Sequence, residues 1–172
     1  MHSPTPIILG IDPGTCTTGY ALLRSNGTKM EPLDFGCIRP PRQYKLSDRY
    51  LVLFESIEEF IVRHKPSQLA VETQFVSHAH WNVQTALKLG MAQGTAIIAA
   101  KKGGLQVFRY APAEAKKTVV GNGQASKHQV QGMVKMLLAL AEEPPEDAAD
   151  ALALAICHCR TLHSPVKRGE EI

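Results

Sequence analysis

The first forty residues alternate between apolar runs and turn signals. Residues 7–11 are apolar and β-branched and end at Asp12, just before a Pro-Gly turn, which is typical of a buried strand. A second strand is predicted over 17–23. An Asn-Gly pair at 26–27 predicts a tight hairpin into a third strand over 29–38. The chain is therefore expected to begin with an antiparallel three-stranded unit.

From residue 46 the spacing of apolar residues lengthens to that of a helix. Tyr50, Phe54, Ile57 and Ile61 recur at helical intervals, and a Lys-Pro pair at 65–66 ends the pattern. The rest of the chain predicts, in order, a strand over 69–72, a helix over 80–102, a strand over 106–110, a helix around 130–138 and a helix over 146–160. A hairpin followed by strand–helix–strand crossovers predicts an α/β fold with a mixed five-stranded sheet flanked by helices.

Length and composition suit one globular domain. The 172 residues are 44% hydrophobic and 20% charged, and no linker or repeat divides them. We expect a single domain over 1–172, with an ordered core over 7–160 and a flexible tail over 161–172. No apolar run is long enough to cross a membrane, and the first residues do not resemble a signal peptide. Four cysteines without a disulfide-rich pattern favour the cytosol.

Four acidic residues stand where a surface charge would be unusual. Asp12 and Glu72 each end an apolar strand, the position at which open α/β sheets place ligands. Asp147 and Asp150 are three residues apart, so they share one face of an alanine-rich helix that must pack on the sheet. Asp147 could also be a charge favoured by the helix dipole, whereas Asp150 lies deeper in the helix.

If these four carboxylates converge, their repulsion requires cations. Two carboxylates about 4 Å apart repel by roughly 4 kcal/mol at an effective dielectric constant near 20. Ligand sets made only of oxygen select hard ions such as Mg²⁺ or Mn²⁺ rather than Zn²⁺. Two such ions can activate a water and stabilise the leaving oxygen of a phosphodiester. The sequence therefore predicts a metal-dependent phosphodiesterase site.

The net charge of +3 hides an uneven distribution. Residues 101–132 contain six basic residues and one acidic residue, whereas residues 141–150 contain five acidic residues and no basic one. The basic segment could be a solvated surface or could hold an anionic polymer. Lys116 and Lys127 flank a Gly-Asn-Gly loop that suits close approach of the backbone to phosphate.

Five short segments of the sequence, taken together, resemble those of a known family. The segments that carry the resemblance are Ile11-Asp12-Pro13-Gly14, Val71-Glu72-Thr73-Gln74-Phe75, Ala86-Leu87-Lys88-Leu89-Gly90, Lys117-Thr118-Val119-Val120-Gly121 and Asp147-Ala148-Ala149-Asp150-Ala151-Leu152-Ala153. They occur in the order and at the spacing found in the RuvC family of bacterial Holliday-junction resolvases. The resemblance extends over about 7–158, nearly the whole chain.

The resemblance implies an RNase H-like fold and a cytosolic homodimer that resolves four-way DNA junctions during recombination and repair, by paired symmetric cuts. It implies that the metal-binding and catalytic acids are Asp12, Glu72, Asp147 and Asp150. The expected cofactor is Mg²⁺, two ions per subunit, which Mn²⁺ can replace. Family members also work with a branch-migration motor complex on the same junction.

The resemblance also assigns DNA contacts. The family aromatic that wedges into the junction corresponds to Phe75, and the family lysines that approach DNA correspond to Lys116 and Lys127. An aromatic residue at this position could equally belong to the core, or it could stack on an unpaired base. A homodimer would supply two acidic centres related by two-fold symmetry. The long helix is the expected interface. It carries more large apolar side chains than are needed to cover one face of the sheet, among them Trp81, Leu87 and Met91.

Two positions depart from the family pattern. Gly-Gln-Ala-Arg-Gly is common in the long helix of the family, whereas this chain has Met91 and Gln93 in place of the glutamine and the arginine. Gln74 stands where an apolar residue is more usual. These departures leave the roles of the polar pair and the setting of Phe75 open.

Other functions have weaker support in the sequence. Related nucleases that act on RNA share the first acidic motif, and a non-enzymatic junction-binding scaffold is disfavoured because all four acids are present. The Asp-x-Gly-Thr sequence at 12–15 resembles the phosphate loop of actin-like ATPases, which need two such lobes. A Cys-His-Cys run at 157–159 resembles a zinc motif, but on a helix residues two apart point in different directions.

Overall fold

A computed structural model describes residues 5–73, 83–162, 164 and 169–172. In chain order, its elements are β1 (Ile7–Asp12), β2 (Thr18–Ser25), β3 (Met30–Ile38), α1 (Leu46–His64), β4 (Gln68–Glu72), α2 (Val83–Lys102), β5 (Gln106–Tyr110), α3 (Pro112–Val120), α4 (Lys127–Leu137), α5 (Glu146–Thr161) and β6 (Glu170–Glu171). In the described residues, no helix is both long and apolar enough to cross a bilayer. The predicted α/β class is confirmed.

The strands form one mixed sheet in the order β3-β2-β1-β4-β5-β6. β1, β4 and β5 are parallel, whereas β2, β3 and β6 pair antiparallel with their neighbours. The hairpin predicted at 26–27 joins β2 and β3: the Asn26 side chain accepts from the Lys29 amide at 2.8 Å, and Gly27 has a positive φ of 92°. The carboxyl ends of β1 and β4 therefore lie side by side at one edge of the sheet.

Helices cover both faces of the sheet, and each face has its own core. On one face, α1 and α2 pack on the strand residues that include Leu9, Ile11 and Val71. On the other face, α3, α4 and α5 pack on residues that include Ile8 and Ala70. The strands are therefore buried from both sides, which explains why β1 is apolar over 7–11 and β4 over 69–71, without alternating polar residues.

Two elements differ from the sequence prediction. The sheet has six strands instead of five, because Glu170–Glu171 pairs with β5 in a segment expected to be a flexible tail. This pairing includes an ion pair between Arg109 and Glu170 at 2.5 Å, which apolar patterning cannot reveal. The pattern also predicted no helix between β5 and α4. The structure has α3 there, a nine-residue helix that begins at Pro112 and buries only Ala115 and Val119.

The C-terminal part of α5 carries a buried polar network. Tyr110 Oη and His158 Nδ1 are 2.6 Å apart, and His158 Nε2 lies 3.0 Å from Gln68 Oε1. His158 is 1% exposed, and burial lowers its pKa to about 4, so the ring is neutral near pH 7. Both ring nitrogens of the histidine in the Cys-His-Cys run therefore have partners within the core.

Candidate active site

Two of the predicted acids end neighbouring parallel strands. Gly10 of β1 pairs with Ala70 of β4, and Asp12 and Glu72 each lie two residues beyond that pair. Since side chains alternate along a strand, both acids point to the same face of the sheet as Gly10 and Ala70. This face packs against α5, which carries the other two acids.

Two glycines let α5 lie directly on this face. A Cβ atom on Gly10 would be 2.3 Å from the carbonyl oxygen of Ala151, and a Cβ atom on Gly19 would be 1.9 Å from that of Asp147. No side chain other than hydrogen fits at either position. The close approach brings the first turns of α5, and with them Asp147 and Asp150, to the strand end that carries Asp12.

Three of the acids share one cavity with two lysines. The cavity has a volume of about 430 Å³, and Asp12, Glu72, Asp150, Lys116 and Lys127 line it. The remaining walls are formed by Pro13, Leu89, Pro112, Ala115, Ala153 and Leu154. Asp147 does not line the cavity, although its charge is close enough to act on Asp12. The structure thus brings together five of the six predicted site residues that it describes and leaves Asp147 just outside.

Burial and mutual repulsion shift the acids toward protonation. Burial is the largest cause that raises the pKa of Asp12, followed by the charges of Glu72, Asp150 and Asp147. The pKa of Glu72 rises to about 7 through burial and then the charge of Asp150, against the opposing effect of the two lysines. Burial also raises the pKa of Asp150. Without a cation, the ionised carboxylates are destabilised by burial and by mutual repulsion, and a bound cation would offset both effects.

The donor chemistry of the cavity fits a hard cation. Every acidic side chain around it offers carboxylate oxygens, which Mg²⁺ and Mn²⁺ prefer, and the described lining contains no histidine or cysteine. In the described part of the chain, no three acidic, histidine or cysteine side chains are already gathered into a closed ligand set. Asp12, Glu72 and Asp150 line the space in which an ion would be held.

The two lysines reach the cavity from separate helices. Lys116 lies in α3, and Lys127 is the first residue of α4. The Ser126 side chain and the Gln129 side chain form a capping box that fixes the start of α4. Lys127 donates to Glu146 at the start of α5, so its ammonium is held next to the acidic turn. Both lysines lie beside the acids in the structure, while their contact with DNA stays a prediction.

A residue of α2 forms a hydrogen bond with the backbone of Glu72. Gln93 Nε2 donates to the backbone carbonyl of Glu72 at 2.6 Å, at the point where β4 ends. The amide of the next residue, Thr73, donates to the carbonyl of Tyr110 at 2.8 Å. Both bonds fix the backbone that carries the acid. The sequence signalled Gln93 only as a departure from the family pattern and not as a partner of Glu72; Met91, the other departure, is 55% exposed.

Some predictions fall on residues outside the described part of the chain. Phe75, Gln74, Trp81 and the histidines at 78 and 80 belong to the segment 74–82. The role of Phe75 in DNA contact and the effect of Gln74 on its setting therefore stay predictions. The described part of the long helix begins at Val83.

Comparison with known proteins agrees with this geometry. The family model described as crossover junction endodeoxyribonuclease RuvC matches residues 8–158, which include all four acids. The chain belongs to the RuvC family. A relative named crossover junction endodeoxyribonuclease RuvC from Protochlamydia amoebophila is 58% identical over 155 residues, covering 90% of each chain.

Solved structures of RuvC share the whole architecture. The Thermus thermophilus RuvC structure superposes with a TM-score of 0.82 at 29% identity, covering 96% of this chain and 99% of the other. T. thermophilus RuvC in complex with Holliday junction substrate gives a TM-score of 0.83 at 28% identity, with 95% and 99% coverage. The RNase H-like fold implied by the sequence resemblance is thereby confirmed.

Proposed function

We propose that this RuvC family member resolves four-way DNA junctions by metal-dependent hydrolysis of phosphodiester bonds. The observation that carries this proposal is the cavity in which Asp12, Glu72 and Asp150 face Lys116 and Lys127. Acids alone would repel a phosphate, and lysines alone would bind one without cutting it. The combination, in a chain of the crossover junction endodeoxyribonuclease family, suits the cleavage of a nucleic-acid backbone.

The four acids would hold the metal. Asp12 lies at the centre of the set, since its charge interacts with those of the other three acids, Glu72, Asp147 and Asp150. Two Mg²⁺ ions, which Mn²⁺ could replace, would lower the pKa of the attacking water and stabilise the leaving oxygen. The protein's own contribution is to fix the carboxylates on two strand ends and one helix. Lys116 and Lys127 neutralise the phosphate that enters between them.

The substrate would be held by contacts without base specificity. Lys116 and Lys127 provide point charges for backbone phosphates, and Phe75 would stack on a base at the junction. The other proposed partner is a branch-migration motor complex that binds the same junction. We place this activity in the bacterial cytosol, which suits the four free cysteines. The whole chain would act as one RNase H-like nuclease domain.

Paired cutting requires two such centres, and α2 offers a surface for a second copy. Its exposed side includes Val83, Leu87 and Met91, which are 69%, 58% and 55% exposed and recur every four residues. An apolar stripe of this kind suits a two-fold interface between identical helices. Leu87→Glu should convert a dimer to a monomer in light scattering, whereas Val62→Glu on α1 should not. Dimers that persist in Leu87→Glu would exclude this face.

The deciding experiment compares three substrates with and without Mg²⁺. A mobile four-way DNA junction, a linear DNA duplex and an RNA–DNA hybrid are incubated with the protein, and the products are separated on a sequencing gel. We expect paired symmetric nicks in the junction only, which appear only with the metal. Asp150→Asn should abolish cutting while junction binding persists. Cutting of the hybrid in preference to the junction, or wild-type cutting by Asp150→Asn, would contradict the proposal.

A further inference from the structure

A second cavity lies at the same edge of the sheet as the acids. It has a volume of about 410 Å³ and is lined by Cys16, Thr17, Arg39, Pro40, Arg42 and Arg49. The β1–β2 loop forms one wall, and the connection from β3 to α1, together with the first turn of α1, forms the others. We call it the arginine cavity. The charge pattern of the sequence points to the basic segment 101–132 and gives no role to these three arginines.

In the arginine cavity, the loop holds one guanidinium group in place and leaves the other two exposed. Arg49 Nε donates to the carbonyl of Tyr44 at 3.1 Å, and its Nη2 donates to the carbonyl of Arg42 at 2.6 Å, so the half-buried side chain is fixed and shapes the loop. Arg39 and Arg42 are exposed. Among the residues that the structure describes, no carboxylate pairs with any of the three guanidinium groups. Planar guanidinium groups on one cavity match the geometry of a phosphate.

The position of the arginine cavity relates it to the acidic centre. Arg39 directly follows Ile38, the last residue of β3, which pairs with Thr18 at the start of β2. β3 is two strands away from β1, so at about 4.8 Å per strand its end is roughly 10 Å from that of Asp12. The Cys37 thiol responds to both sites: after burial, which raises its pKa, the Arg39 charge lowers it and that of Asp147 raises it. The arginine cavity and the acids are thus neighbours across the β1–β2 loop.

We propose that the arginine cavity binds a backbone phosphate of the DNA whose scissile phosphate lies at the acids, an inference that rests on the proposed function. DNA carries one charge per about 3.4 Å of helix axis on each strand, so a strand cut at Asp12 has further phosphates at the distance of the arginines. Lys116 and Lys127 hold the strand on the α3–α4 side of the acids. The arginines hold it on the β3–α1 side, which aligns the backbone across the acids.

The test is the salt dependence of junction binding. A fluorescent four-way DNA junction is titrated with protein at several salt concentrations. EDTA is present throughout, so that the junction is bound but not cut. Arg39→Gln combined with Arg42→Gln removes two charges and leaves the backbone carbonyls that hold Arg49 in place. Arg24→Gln, at the opposite edge of the sheet and paired with Glu31, is the matched control. Thermal unfolding confirms that each variant is folded.

We expect the double variant to bind about tenfold more weakly than wild type and to reduce the slope of log K against log salt by about one unit, as for one lost phosphate contact. The control should match wild type in both quantities. If the wild-type protein binds and cuts junctions and the double variant shows an unchanged slope, the proposed role of the arginine cavity is wrong and the proposed function still stands. A wild-type chain that neither binds nor cuts the junction would overturn the proposed function and this inference with it.

Discussion

Helix α5 places polar side chains against the sheet at both of its ends, and the two ends behave in opposite ways. At its C-terminal end, His158 is neutral and lies between Tyr110 and Gln68, so its polar atoms have partners inside the protein. At its N-terminal end, Asp150 faces the carboxylates of Asp12 and Glu72, and their charges repel. Partnered polar groups add stability, whereas unpartnered ones of like charge must obtain their partner from outside. The contrast supports the proposal that the N-terminal end of α5 is the functional one, and it does so without reference to any relative.

The largest effect should come from breaking the acidic end. We expect Glu72→Gln to slow junction cleavage at least about a thousandfold, because it removes one of the proposed ligands of the metal. The same variant should stabilise the metal-free protein by about 1–3 kcal/mol at pH 8, since the wild-type site keeps a repelled carboxylate there. Chemical denaturation in EDTA measures the stability, and a gel assay measures cleavage.

The sign of that gain follows from the pKa of Glu72, which folding raises from 4.5 to about 7. The folded state holds the proton more tightly between these values, so wild-type stability falls as the pH rises through the window. The advantage of Glu72→Gln should therefore be largest above pH 7 and disappear near pH 4.5. Glu55→Gln, at an exposed position of α1, is the control and should change neither quantity. A less stable Glu72→Gln protein at pH 8 would show that repulsion does not dominate this end.

Breaking the other end should cost stability and leave the chemistry alone. We expect His158→Gln to lower the free energy of unfolding at pH 7 by about 2–3 kcal/mol, because partners of a buried network lose their geometry. Cleavage by the folded variant should stay near the wild-type rate. Denaturant titration and the gel assay measure these two effects, and a variant that loses cleavage while folded would link the two ends.

The pH dependence sharpens this second prediction. Burial lowers the pKa of His158 from 6.5 to about 4, so the unfolded state binds a proton between these values that the folded state does not. This histidine's contribution to stability is therefore complete above pH 6.5 and declines by up to about 3 kcal/mol as the pH falls to 4. The difference between wild type and His158→Gln should shrink over the same range. A constant difference would mean that the ring does not titrate as its burial implies.

The contact between α5 and the sheet can be tested with one methyl group. Gly19→Ala should destabilise the protein by about 1–3 kcal/mol and reduce cleavage, because the new Cβ atom would meet the Asp147 carbonyl and push the acidic turn away. Gly132→Ala in α4 is the control: only the Glu143 side chain lies nearby, at 3.8 Å, so alanine should stabilise that helix by about 0.5–1 kcal/mol. Equal thermal stability of the two variants would contradict the close approach of α5.

The smallest expected effect concerns the support of Glu72. Gln93→Leu removes the donor to the Glu72 carbonyl and should reduce kcat about tenfold with little change in KM, as for loss of an outer partner of a ligand. Gln93→Arg, which restores a donor and the residue common in the family, should keep most of the activity. Steady-state kinetics on the junction distinguishes them. A larger loss in KM than in kcat would assign Gln93 to substrate binding.

How far the sequence could predict this molecule depended on the kind of contact. β1, α1 and α5 were predictable, because each has a strong apolar period and clear stop signals such as the Lys-Pro pair at 65–66. Asp12 and Glu72 could be placed together because parallel strands end at one edge. β6 was missed because its pairing depends on Arg109 and Glu170, which are far apart in the chain. The contact of Gln93 with Glu72 and the arginine cavity were missed for the same reason, because polar contacts between distant residues leave no periodic pattern in the sequence.

The gathering of acids from opposite ends of the chain has a consequence for biosynthesis. Asp12 is synthesised well before Asp147 and Asp150, which lie more than 130 residues later in the chain. The sheet can pair β1 with β2 early, but the acids come together only after the residues of α5 have been synthesised. A nascent or prematurely terminated chain therefore has no complete set of acids.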